Sequence, residues 1–141
     1  MSSASATNMR MLLSSLVLAA AVSTGCGSNP ASPSGELPLT TTLQVGQQVK
    51  VAGLSATFVA VSNDSRCPIN ATCISAGEAT LQFDLSANRR AARYGLRLYG
   101  PNPAPTTHEG FAIEVQDLQP YPFAGRPTPP GDYRATVKIS R

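Results

Sequence analysis

The sequence of 141 residues has no tryptophan, one histidine and three cysteines, and its methionines, Met1, Met9 and Met11, all lie at the start. Each scarcity closes off some chemistry. With no methionine after residue 11, a copper site built on thioether sulfur has no ligands in the body of the chain. A zinc site wants about four ligands, and one histidine is a poor beginning. Neither G-x-S-x-G nor H-E-x-x-H occurs, so the local signatures of a hydrolase nucleophile elbow and of a zinc protease are missing. Charge is sparse as well. Against 8 acidic residues stand 11 basic ones, too small an excess for a nucleic-acid footprint.

Long apolar runs are also lacking. The longest, MLLSSLVLAAAV (Met11 to Val22), is shorter than the roughly 20 residues that a permanent membrane-spanning helix needs. It follows Arg10 and leads into the small residues Ser23, Thr24 and Gly25 before Cys26. That order is the basic, apolar and small-residue sequence of an export signal. The ending STGC resembles the bacterial lipobox, which makes Cys26 the lipidated first residue of the mature protein. Ser23 stands where a lipobox carries leucine, and ordinary cleavage is the alternative. Met9 before Arg10 also offers a more compact start than Met1.

The expected organisation is a signal peptide over residues 1–25, a flexible tether over 26–37 and one domain over 38–141. The tether, CGSNPASPSGEL, is rich in Gly, Pro and Ser and has no periodicity, as a flexible spacer requires. The lipid would be the only part inserted in a membrane.

From Leu39 onward, apolar residues recur with period two. Ala79, Leu81, Phe83 and Leu85 alternate with Thr80, Gln82 and Asp84; Phe111, Ile113 and Val115 behave likewise, as do Tyr133, Ala135, Val137 and Ile139. Such segments bury one face and wet the other. Leu54 to Val61 is apolar on both faces, as a central strand would be. Adding Thr41 to Val45, Gln48 to Val51 and Tyr94 to Tyr99 brings the count to about seven strands. Between them lie VGQQ, SANRRAAR, YGPNPAPTTHEG and YPFAGRPTPPGDY, all with turn or loop chemistry. No helical stripe is present. The fold expected is an all-β antiparallel sandwich, immunoglobulin-like in outline, with a partly open barrel as the alternative.

Once Cys26 is set aside, Cys67 and Cys73 are an even pair in an exported chain, where disulfides persist. Extended, their six steps would span roughly 20 Å, whereas a bridge needs about 5.5 Å between Cα atoms. The segment must therefore turn back, and Pro68 and Asn70 suit a turn. A redox role would fit C-x-x-C at a helix N-terminus better. The pair is expected to be a structural staple that fixes the lead-in to the Ala79 strand.

Around this pair, DSRCP (Asp64, Ser65, Arg66, Cys67, Pro68), then Cys73, then AGEA (Ala76, Gly77, Glu78, Ala79) resembles a group of small uncharacterised bacterial lipoproteins and secreted proteins. In that group a tryptophan stands where this chain has Ser75. The resemblance covers about 16 residues, with outline similarity in GLSATFVAV, VQDLQPYP and GDYRATVKI. It implies export and an all-β domain, and it carries over no catalytic residue.

Candidate chemistry is thin. His108 beside Glu109 in PTTHEG reads as an exposed loop histidine, since a general base or ligand would need partners that no motif supplies. Arg66 is expected to pair with Asp64 or Glu78 and hold the bridged turn in place; the alternative has Asp64 and Glu78 gripping a hard cation. Arg89, Arg90 and Arg93, with Arg97 beyond, are expected at a hairpin tip able to meet phosphates or carboxylates. Tyr121 and Phe123 sit in a stiff proline-rich segment that could be a partner-binding edge or could wrap over one end of the sandwich.

These readings converge on a non-enzymatic, lipid-anchored, extracytoplasmic interaction or structural module of the bacterial envelope, without cofactor or metal. Its partners would be the membrane, through the lipid, and an envelope protein or anionic envelope component met by loops at one end. The second reading is an inhibitor of a secreted or periplasmic enzyme, because a rigid bridged loop can enter a cleft at low ordering cost. An enzyme comes third, although carboxylates alone can hydrolyse glycosides.

Overall fold

The structure is a computed structural model that describes residues 35–100 and 103–141. The signal segment 1–25, Cys26 and most of the tether lie outside the described residues. Alternation becomes strands β1 (Leu39–Gln44), β2 (Gln48–Val51), β3 (Leu54–Asp64), β4 (Glu78–Ala87), β5 (Arg90–Tyr99), β6 (Thr106–His108), β7 (Phe111–Gln119) and β8 (Arg134–Ser140). They form two four-stranded sheets, ordered β1-β8-β7-β6 and β2-β3-β4-β5. Every pairing is antiparallel. The result is a sandwich, not a closed barrel. Its strand order departs from the immunoglobulin one, in which both sheets mix early and late strands. Here one sheet is a plain meander, β2 to β5, and the other closes β1 against β8.

The inward residues are those the alternation marked. Leu81, Phe83 and Leu85 of β4, Phe111 and Ile113 of β7, and Ala135, Val137 and Ile139 of β8 are at most 1% exposed. Phe58 and Phe83 stack across β3 and β4 with ring centroids 5.1 Å apart. Burying side chains of this size contributes roughly 1.5–3 kcal/mol each before entropy is charged against them. Leu37, assigned above to the tether, packs against this core. The domain therefore begins slightly earlier than the composition suggests.

Two strands break their own period. In β3 the register slips between Phe58 and Ala60 and again between Val61 and Asn63. Extra residues at β-bulges re-aim the side chains that follow. Phe58 lies opposite Phe83, Val61 opposite Leu81 and Asp64 opposite Ala79, so the inward positions of β3 run 58, 61, 64. The second slip thus turns a carboxylate toward the inside of the sandwich. A slip between Val115 and Asp117 in β7 does the same for Leu118, which is fully buried.

The two ends of the sandwich differ. At one end, three hairpins close with two residues each: Ala52–Gly53, Asn88–Arg89 and Glu109–Gly110, all at positive φ. Left-handed pairs of this kind match the twist of the strands they join. Leu39, paired with Ile139, brings the tether in at this same trimmed end. The other end carries the long connections 65–77 and 120–133. A ten-residue β4 separates the two ends by roughly 30 Å.

The segment SANRRAAR was expected to be loop. Instead, Ser86 and Ala87 finish β4, only Asn88 and Arg89 turn, and Arg90 to Arg93 begin β5. An arginine at φ 63° is an uncommon turn residue, which is why composition suggested a longer loop. His108, expected to be exposed, is 6% exposed on β6. Its ring meets the Tyr94 hydroxyl at 3.1 Å and the Arg90 carbonyl at 3.2 Å. A strand of three residues is too short to show a period.

Candidate functional site

Functional loops concentrate where a rigid scaffold carries long connections, and in this domain that is the end opposite the tether. There the DSRCP…C…AGEA segment prolongs the β3–β4 hairpin past its regular strands. The Ser65 N–H donates to the Glu78 carbonyl at 2.8 Å, and the Cys67 N–H to the Ala76 carbonyl at 3.0 Å. The Ser65 hydroxyl accepts from the Glu78 N–H at 3.2 Å. Cys67 and Cys73 are bridged, with Cα atoms 5.9 Å apart, close to the spacing a disulfide requires. Gly77 adopts φ +70°, and a Cβ there would lie 1.9 Å from the Ser65 carbonyl oxygen. No other residue fits. Ala79, last of the segment, is fully buried. Cys67, Cys73, Gly77 and Ala79 thus each have a local physical role.

Arg66 braces this hairpin to the rest of the molecule. It is 3% exposed, an unusual depth for a guanidinium unless every donor is used. Nε and Nη2 donate to the two Asp64 oxygens at 2.8 Å each, the fork-to-fork geometry that arginine favours. Nη2 also donates to the Pro120 carbonyl at 2.9 Å, and Nη1 donates to the Leu118 carbonyl. The Tyr133 hydroxyl donates to Asp64 Oδ2 at 3.1 Å. Burial alone would raise the Asp64 carboxyl, but the hydrogen bonds and charge of Arg66, helped by Tyr133, reverse this and hold it below its ordinary value. Burial and the Asp64 charge push the Tyr133 hydroxyl up.

Of the two acids considered for Arg66, Asp64 is the partner and Glu78 is not. Both Asp64 oxygens are taken by the guanidinium, which leaves them poorly placed to share a cation with Glu78. Sequence reasoning missed the other half of the brace, the Leu118 and Pro120 carbonyls and Tyr133. Backbone acceptors more than 50 residues away leave no trace in composition.

Above the brace lies an apolar surface. Arg66 sits 5.0 Å from the centre of the Tyr121 ring, whose hydroxyl meets that of Tyr99 at 2.8 Å. That hydrogen bond pushes the Tyr99 hydroxyl up to about 12. The bridged loop and the proline-rich loop are stitched together: the Ile69 N–H donates to the Pro122 carbonyl at 3.0 Å, and the Ala124 N–H to Asn70 Oδ1 at 2.7 Å. The proline-rich segment does wrap over one end. Among the described residues, the large apolar side chains left exposed are Ile69, Ile74, Tyr99, Tyr121 and Phe123, and all five are here. Ile69, Tyr121, Phe123, Arg126 and Asp132 border an open groove of about 280 Å³.

The arginines lie elsewhere. Arg89 and Arg90 are at the trimmed end, a strand length from the bridged turn. Arg93 forks onto Asp84 at 2.6 and 2.7 Å, lowering that carboxyl, and Arg90 reaches Glu109 at 3.4 Å. The bridged turn and the arginines therefore form two surfaces, not the single loop cluster expected. Compared with protein-family models, curated proteins and solved structures, the chain has no match.

Proposed function

We propose that the protein is an exported interaction module of the bacterial cell envelope, anchored through lipid on Cys26, whose elaborated end docks another envelope protein. One observation carries the reading: all the exposed large apolar side chains among the described residues gather at the end away from the tether. Scattered exposed apolar residues need no explanation, but Ile69, Tyr121 and Phe123 border one groove and Tyr99 joins Tyr121, and apolar side chains gathered in this way mark an interaction surface. Disulfide, brace and stitched loops hold this cluster in shape before binding, which lowers the ordering cost of association. A protein partner fits better than the anchoring membrane, because the patch faces away from the tether. An inhibitor of a secreted enzyme is the second reading, favoured by Ile74, fully exposed beside Cys73 in a bridged loop.

The test has two parts. Fatty-acid labelling should mark the protein and vanish in Cys26→Ser; labelling that persists removes the anchor. A photo-crosslinker at Ile74 in living cells should then give a discrete adduct that Phe123→Asp abolishes, while one at Arg89 gives none. Equal crosslinking from both ends would sink the docking reading, and a captured hydrolase would favour inhibition.

A further inference from the structure

β5 is an edge strand of ten residues, the longest edge in either sheet. Ala87 and Arg90 close a two-residue turn, which makes them a hydrogen-bonded pair. Counting in steps of two, residues 90, 92, 94, 96 and 98 bond to β4. The N–H and C=O groups of 91, 93, 95, 97 and 99 point away from it, and all five residues are exposed. No described strand pairs with them.

The strand reads RAARYGLRLY: three arginines and no acid. Arg93 is engaged by Asp84, whereas Arg97 makes no ion pair among the described residues. Charge on an edge guards against the wrong partner. Antiparallel pairing of two copies centred on Gly95 would set Arg93 of one against Arg97 of the other, twice, and like charges directly opposite are destabilising. Residues 1–34 hold no acidic residue to set against Arg97.

We infer that β5 accepts an extended acidic segment of another protein as a fifth strand of its sheet, along residues 91–97 and short of Tyr99, which belongs to the apolar patch. Backbone pairing supplies the attraction and Arg97 the charge selection.

The test uses two synthetic seven-residue peptides, one alternating valine with glutamate and one alternating valine with lysine, added to the purified protein at low salt. The acidic peptide should slow amide exchange at Ala91, Arg93, Gly95 and Arg97 and leave Leu96 unchanged. It should bind at least about tenfold more tightly than the basic one, since two or so cross-strand pairs change from repulsion to attraction. Arg97→Glu, at an exposed side chain, should bring the two peptides to near parity without altering the thermal midpoint. No protection with either peptide at millimolar concentration, equal protection by both, or a wild-type dimer joined through β5 would each overturn the inference.

Discussion

Replacing Arg66 with methionine keeps an unbranched stem in the same channel and removes only the guanidinium. Two charge-assisted bonds to Asp64 are lost, together with the donors to the Leu118 and Pro120 carbonyls. Breaking a buried ion pair from one side costs about 3–5 kcal/mol, because the other charge is left behind. Asp64 retains the Tyr133 hydroxyl and an exposed fraction of 10%, so the low end, about 3 kcal/mol, applies. That is a large share of the roughly 5–15 kcal/mol expected for a small domain. Urea unfolding should show the midpoint falling by about 2 M.

A pH series separates this cause from simple loss of packing. In the wild type, the folded Asp64 carboxyl lies below its ordinary 3.8. Its contribution is therefore fully present above that value and is lost as pH falls through the folded one. In Arg66→Met, burial is opposed only by the Tyr133 hydroxyl and the residue-66 N–H, so the folded pKa rises relative to wild type. Relative to wild type, the variant should thus lose less stability, or gain some, between about pH 5 and pH 3. A destabilisation under about 1 kcal/mol, or parallel pH curves, would refute the brace.

The double substitution Cys67→Ser, Cys73→Ser should cost less, about 2 kcal/mol from loop closure, and leave a folded protein with faster amide exchange around Asn70. Thiol titration of the unfolded wild type carrying Cys26→Ser should find no free thiols until reductant is added. Gly77→Ala forces a Cβ into the Ser65 carbonyl oxygen at a left-handed position, so it should destabilise by more than the roughly 1 kcal/mol of a strained backbone alone, measured by thermal midpoint. Gly53→Ala, with open space around it, is the control and should cost only the backbone strain.

Period-two alternation made β4, β7 and β8 legible because each has one buried and one wet face. It failed at Asp64 because two bulges change the spacing of inward positions from two to three, and an acid at an inward position reads as a strand end. His108 was misjudged because β6 is too short to carry a pattern. Arg66 was half legible: its near partner lies two positions away, but its backbone acceptors belong to a loop that only the folded chain brings close. The separation of the arginines from the bridged turn followed from strand direction, which no local window contains.

The pairing of β1 with β8 has a consequence in time as well as in space. Thr42 and Thr136 share a hydrogen bond across 94 positions, whereas the turn between β4 and β5 joins neighbours. Closing the longer span costs about 2 kcal/mol more in chain entropy than closing a ten-residue one, so the meander β2 to β5 should gain exchange protection first and β1 last. A ribosome releasing this chain from its N-terminus cannot complete the second sheet until β8 has emerged. On the export proposed above, late closure would leave the chain unfolded while it threads a translocation pore.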